Sequence, residues 1–363
     1  MNQTSNFLET LHQNPPLWLS ESSTVNQIIF STRIRLARNL KGFSFPPSAS
    51  ATQAEAVLEK FEAVRGKIAL FKRAVPVRID EVDSLLAETL CERHLISLQF
   101  IKSTLPRLAL IEPSEQFCIL VNEEDHLRIQ SMRSGLDFEA AWRQVSWIDG
   151  ELAKLLDYAQ SERFGHHTAC PTNTGTGLRA SIQIHLPGLV LSDGIRQMKK
   201  NYPEYQVAFR GVSGEGSRAD GNIFQVSNQR TLGQSESEIL KRLSKAAQDF
   251  VSRELEARRF LFQTKRDFIS DKIFRALAAL QNARIISLEE FFERLSMVRL
   301  GLDSGMIQGA DHVLLNKLMI LSNRAHLCKN YGVADETDDG VDAMRANFAR
   351  SVFASVVCRE RIN

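Results

Sequence analysis

Five arginines, two glutamates and one cysteine stand outside the hydrophobic periodicity of this chain: Arg33, Arg35, Arg128, Arg179, Arg210, Glu124, Glu215 and Cys170. Each arginine falls at a strand pattern or a glycine-rich turn. A guanidinium fork matches phosphate oxygens through two parallel hydrogen bonds. Five forks exceed what a fold requires and suit a triphosphate. The chain has no Gly-x-x-x-x-Gly-Lys-Ser/Thr loop, which excludes a P-loop enzyme. It has no His-Arg-Asp or Asp-Phe-Gly, which excludes the protein-kinase fold. The carboxylates acquire a role if the phosphoryl acceptor is itself a guanidinium. Such a group holds its proton to a pH above ~12. A carboxylate pair would bind the cation and take the proton. The remaining catalysis would be positioning and charge neutralisation.

The densest stretch is Cys170-Pro-Thr-Asn-Thr-Gly-Thr-Gly-Leu-Arg-Ala-Ser181. It holds a thiol, a proline-started turn, two glycines, four hydroxyls and Arg179. Glycines let backbone approach a ligand, and exposed N–H groups accept anions. The apolar run 182–191 reads as core that mounts this loop. In Ser31-Thr32-Arg33-Ile34-Arg35-Leu36, extended backbone puts both arginines on one face. That face is either a phosphate clamp or a solvated basic strand. Asn122-Glu-Glu-Asp-His-Leu-Arg128 is a polar cluster at a strand end. Glu124, Asp125 and His126 do not readily share a metal, because neighbours on a strand point to opposite faces. Residues 211–221 carry four glycines around Glu215 and read equally as a mobile, carboxylate-bearing loop or a hairpin tip.

These pieces need elements to position them. Helical spacing covers residues 53–71, 80–104 and 138–159, with a further helix near 191–201. Strand patterns cover 25–30, 107–111, 117–121, 206–210 and 223–227. From residue 235 the pattern turns helical: 235–264, 265–282, 287–298, 312–322 and 341–358. A boundary near residue 255 separates a mixed helix-and-strand part from an all-helical one. The apolar stripe on that helical part suits self-association or internal packing.

Composition is that of a globular protein. The 363 residues are 43% hydrophobic and 24% charged, with net charge +2. That balance gives no global pull toward nucleic acid or membrane. No apolar run approaches the roughly 18 residues of a membrane span, and the polar first eleven residues do not read as a secretory signal. Five scattered cysteines without Cys-x-x-Cys spacing point away from disulfides and zinc and toward a reducing cytoplasm.

Taken together and in order, the segments Ser31–Arg35, Asn122–Arg128, Cys170–Arg179 and Arg210-Gly211 resemble the ATP:guanidino phosphotransferase family. Arg179-Ala180-Ser181, Gly214-Glu-Gly-Ser217 and Gln225-Val-Ser-Asn-Gln229 are similar to its bacterial protein-arginine kinase branch. Only 30 residues precede Ser31, whereas small-molecule members carry a whole helical domain there. The resemblance implies an α+β fold: an antiparallel-sheet phosphotransferase domain at 24–255 flanked by helices, after a polar lead at 1–23. A helical domain at 256–363 would serve dimerisation.

It also implies ATP with Mg²⁺ held mainly through the phosphates, and no protein metal ligands. Glu124 would be the base, Glu215 would hold the guanidinium, and Cys170 would touch it as a thiolate; an inert thiol is the alternative for Cys170. The nucleotide would meet Ser31, Thr32, Arg33, Ile34, Arg35, His94, Arg128, Arg179, Ala180, Ser181, Ile182, Gln183, Arg210, Gly211, Val212, Ser213 and Gly214. Partners implied are proteins with exposed arginines, a second copy of the chain, a zinc-binding activator and a AAA+ unfoldase-protease. The branch binds phosphoarginine through Arg-Asp-x-x-Arg-Ala; here Val341-Asp342-Ala-Met-Arg345-Ala346 retains Asp342 and Arg345 but not the first arginine. Two other activities fit less well: a kinase of free arginine, and a binding adaptor without turnover.

Overall fold

In a computed structural model, residues 3–20, 27–195, 198, 205–211, 220–334 and 336–359 are described. The strands are β1 (Ile29–Arg38), β2 (Val75–Arg78), β3 (Leu108–Ile111), β4 (Phe117–Val121), β5 (Leu127–Ser134), β6 (Gln160–Ser161), β7 (Gly165–His166), β8 (Leu178–His185), β9 (Val207–Gly211), β10 (Ile223–Asn228), β11 (Ile307–Gln308) and β12 (Val357–Cys358). Eight of them form one sheet in the order β2-β3-β4-β5-β1-β8-β10-β9. Its pairs β2–β3, β3–β4, β4–β5 and β5–β1 are antiparallel. Every residue of β3 and β4 is buried, as expected for central strands covered on both faces. The α+β class inferred from the sequence is therefore observed.

The chain divides into two compact units, residues 1–18, 31–181 and 227–244 in one, and 19–30, 182–226 and 245–363 in the other. In the first, the helix Ala51–Arg65 opens on a capping box in which Ser50 and Gln53 satisfy each other's backbone N–H groups. It buries Val57, Leu58, Phe61 and Val64. The helix Phe138–Ala153 starts at Asp137, whose carboxylate accepts from the Ala140 N–H, and ends six residues before its expected limit of 159. Residues 80–104 are not one helix. Ser84–Glu92 stops, the chain turns through His94 at φ +60°, and Ser97 caps a new helix, Leu98–Lys102.

In the second unit, helices Arg266–Asn282, Leu288–Asp303, His312–Leu321 and Asp338–Phe353 enclose a core that includes Ile269, Ile273, Leu277, Phe291, Leu295, Leu315 and Phe353, and a further helix spans Arg324–Tyr331. The expectation of an all-helical end needs one correction, because β11 and β12 form a two-residue antiparallel ladder. The short helix Pro187–Leu191 precedes the helix expected near 191–201, within which residues 194, 195 and 198 are helical; residues 196, 197 and 199–204 lie outside those described. Among the described residues, no helix is long and apolar enough to cross a membrane.

Candidate active site

The floor of the site is the β1–β5 pair. Its register sets Arg33 opposite Met132, Arg35 opposite Gln130 and Ala37 opposite Arg128. Opposed residues share a face, so Arg33, Arg35, Arg128 and Gln130 lie together. Ile34 and Leu36 point the other way and are fully buried. The alternation read from Ser31–Leu36 is thus what the strand displays.

The arginines of this floor differ in their electrostatics. Burial lowers the Arg33 pKa to about 10, with Arg128 adding to the effect and Cys118 and Glu123 opposing it. Arg35 is driven well below its ordinary value by burial, then by Arg33, Arg128 and Arg179. A guanidinium keeps its proton regardless, so these shifts register positive charge held in a buried setting, to which the neighbouring arginines add. Among the described residues, Arg35 makes no hydrogen bond or ion pair through its side chain.

Arg128 is different. Its fork meets three carboxylates: Glu123 at 2.6 Å, Asp125 at 3.2 Å, and Glu124 in a close pair. The sequence reading made Arg128 a phosphate clamp; in the structure its fork is engaged by the three acids. Glu123 is raised by burial but more strongly lowered by Arg128, the Glu124 N–H and the Ser97 hydroxyl, so it stays below the usual range. Glu124 is the outermost of the three, with 36% of its side chain exposed. Asp125 is the hub. Its buried carboxylate also accepts from Asn39 Nδ2 and from the Ala169 N–H, both at 2.8 Å, which ties the cysteine loop to the acid loop. His126 accepts from the Leu40 N–H through Nδ1, and its Nε2 meets the Ser44 carbonyl. Both ring nitrogens are therefore committed within the fold, and burial lowers the imidazole pKa.

The cysteine loop is pinned at both ends. The Thr231 hydroxyl reaches the carbonyls of Thr172 and Thr174. Gly175 and Gly177 adopt φ +113° and +66°. A Cβ on Gly177 would lie 2.6 Å from the Ala37 carbonyl, and one on Gly175 2.7 Å from that of Thr231. Only glycine permits this approach. The half-buried Cys170 Sγ sits 3.0 Å from the Thr172 hydroxyl. Past the loop, β8 carries Arg179, near enough to Arg35 to act on its charge. Asn228 brackets the start of that strand, accepting from the Ala180 N–H and donating to the Leu178 carbonyl.

The residues expected at the nucleotide differ in what they present. Ile34, Ala180 and Ile182 alternate with polar neighbours and turn their side chains into the core. Thr32 is fully buried; its hydroxyl donates to Gly135 and accepts from the Asp137 N–H, fixing the turn after β5. Ser31 is buried beside it, and Ser181 is buried on β8 while Gln183 remains partly exposed. His94 does lie beside Arg33, which with burial lowers its pKa to about 4. Arg210 is exposed on β9 and Gly211 ends that strand, both in the second unit. Val212, Ser213, Gly214 and Glu215 lie outside the described residues.

Asp342 and Arg345 do not form an open clamp. Val341 and Arg345 are both buried. Arg345 donates to the carbonyls of Ser322 and Ile286, each at 2.9 Å, and pairs with Asp342. The guanidinium joins the helix Asp338–Phe353 to the segments at 286 and 322 and is no free phosphate ligand. Gln130, Asp125, Asn39 and Asn228 are site residues the sequence analysis did not assign. Asp125 had a local signal, standing inside the acid cluster; the others become visible only through contacts distant in sequence.

Residues 56–257 match the family described as ATP:guanido phosphotransferase, C-terminal catalytic domain. This chain belongs to that family. Within the phosphotransferases, residues 266–361 match the protein-arginine kinase McsB C-terminal domain. A protein-arginine kinase of Bacillus pumilus is 38% identical over 350 residues, covering 95% of this chain and 93% of that one. That of Pelotomaculum thermopropionicum is 38% identical over 351 residues, covering 96% and 98%. Fold similarity extends to a lombricine kinase, with TM-score 0.58, 22% identity and coverage of 69% and 76%. A duplicated taurocyamine kinase of Schistosoma mansoni superposes with TM-score 0.60 and 20% identity, covering 87% of this phosphotransferase and 49% of that chain.

Proposed function

We propose that this phosphotransferase moves the γ-phosphate of ATP onto arginine side chains of proteins. The observation that carries the reading is the positive floor of Arg33, Arg35 and Arg179 beside the carboxylate Glu124 that Arg128 holds. The guanidinium charge gathered there fits a polyphosphate. The carboxylate suits an acceptor that must lose a proton.

In the proposed step, a guanidinium nitrogen attacks the γ-phosphorus as the bond to the bridging oxygen breaks. That electron pair leaves on ADP. The nitrogen's proton passes to a Glu124 carboxylate oxygen, so Glu124 is the base. Arg128 fixes its orientation, while Arg33, Arg35 and Arg179 hold the phosphates in line. Mg²⁺ would enter on the phosphate oxygens and supply further neutralisation. Cys170 would contact the acceptor from the loop pinned by Thr231, Glu215 would grip it from residues 211–221, and Arg210 would add a phosphate contact.

The finer reading follows the branch. Residues 24–255 would carry the chemistry and 256–363 would join two copies of the chain. In a stress response, marked proteins would pass to a AAA+ unfoldase-protease, with a zinc-binding protein as activator, in the cytoplasm. The test is transfer of label from [γ-³²P]ATP with Mg²⁺ to an unfolded protein. The account expects an acid-labile label that Glu124→Ala abolishes. Label on free arginine alone would favour a small-molecule kinase. Protein binding without transfer, surviving Glu124→Ala, would favour an adaptor.

A further inference from the structure

Arg33 is held by a neutral amide. Gln130 Oε1 accepts from both Nε and Nη2 of Arg33, at 3.2 and 2.5 Å. Its Nε2 donates to the carbonyls of His94 and Leu95, at 3.2 and 3.1 Å. Both ends of this buried amide are thus engaged, and it cannot flip without setting an NH₂ group against the guanidinium and an oxygen against two carbonyls. The anchor it uses is the turn where His94 adopts φ +60°. A side chain with two bonds at each end has one orientation, and it imposes that orientation on the Arg33 fork.

The chemistry of the partner matters as much as the geometry. A buried arginine is ordinarily met by a carboxylate, as Arg128 is here. Arg33 forms no ion pair among the described residues. The side chain facing Gln130 across β4 is Cys118, whose thiol burial pushes up and so keeps uncharged. Arg33 is therefore oriented by a neutral side chain, and the nearby carboxylate of Glu123 forms no ion pair with it.

We propose that Gln130 is a positioning residue for the phosphate site. It aims Arg33 at the nucleotide phosphates while leaving the full guanidinium charge to them, and it couples that arm to the His94 turn. This rests on the nucleotide-binding reading above.

The test is a double-mutant cycle on ATP affinity in the full chain, measured at equilibrium with Mg²⁺ for the parent, Gln130→Met, Arg33→Ala and the double variant. Gln130→Met keeps length and volume. It should weaken ATP binding about tenfold, a loss comparable to about one hydrogen bond to a charged group. The double variant should bind no more weakly than Arg33→Ala alone. Gln130→Glu supplies a second measurement: by placing a carboxylate under Arg33 it should weaken ATP at least as much as Gln130→Met, though the Arg33 contact is kept. A structural role alone would lower the melting temperature and leave ATP affinity unchanged in both variants, and losses that multiply in the double variant would equally overturn the proposal. A parent that binds no ATP would instead overturn the nucleotide reading itself, which separates the two failures.

Discussion

At Arg35 an uncompensated charge lies among Arg33, Arg128 and Arg179. Removing it should relieve repulsion in the protein and weaken the hold on phosphate. Arg35→Ala is therefore expected to reduce ATP affinity about 10- to 100-fold, the range for a lost charge-assisted hydrogen bond, without lowering the melting temperature. Calorimetric titration and a thermal melt check both halves. Glu124 makes the complementary case. Glu124→Gln keeps shape and hydrogen bonding but removes the proton acceptor. The turnover rate should fall by about 10²- to 10⁴-fold, while the KM for ATP changes little. Arg33, Arg35, Arg128 and Glu124 stood out in the sequence because each breaks an apolar period within a few residues. Asn39 and Gln130 were not, because their partners Asp125 and Arg33 lie 86 and 97 residues away.

Among the elements, the loop from Cys170 to Gly177 depends on backbone that only glycine supplies. Gly177→Ala would put a Cβ 2.6 Å from the Ala37 carbonyl at φ +66°. That should cost about 1–3 kcal/mol, read as a lowered melting temperature and a lower turnover rate, since the shift reaches Arg179 on the following strand. The helical end behaves differently. Arg345→Met would leave the Ser322 and Ile286 carbonyls without their donor and Asp342 without its partner. A loss of about 3 kcal/mol is expected, with ATP affinity unchanged. Strand and helix periods were readable from apolar spacing. The break at His94 was not, because Leu85 to Leu98 keeps a helical rhythm across it and the positive φ leaves no mark in that pattern. The Arg345 commitment was also invisible: a motif match shows which residues are present, whereas their use depends on the carbonyls that packing brings near.

For the whole molecule, buried histidines tie stability to pH. Burial and Arg33 lower His94 from 6.5 to about 4, and burial with Arg38 does the same to His166. His185 lies well below its ordinary value through burial and then Arg258. The fold favours the neutral rings, so their contribution is intact above pH 6.5 and is lost as pH falls toward 4. The carboxyls of Glu115 and Glu254, pushed up by burial, act in the opposite sense. His94→Asn, which tolerates the left-handed backbone, isolates one term: its melting temperature should fall less than the parent's between pH 6.5 and 4. The central claim concerns the acceptor, and mass spectrometry addresses it most directly. The full chain is incubated with ATP, Mg²⁺ and an unfolded protein, and the products are analysed without acid. The account expects phosphate on arginine side chains of the protein and none with Glu124→Ala; phosphate confined to other residues, or equal amounts with the variant, would contradict it.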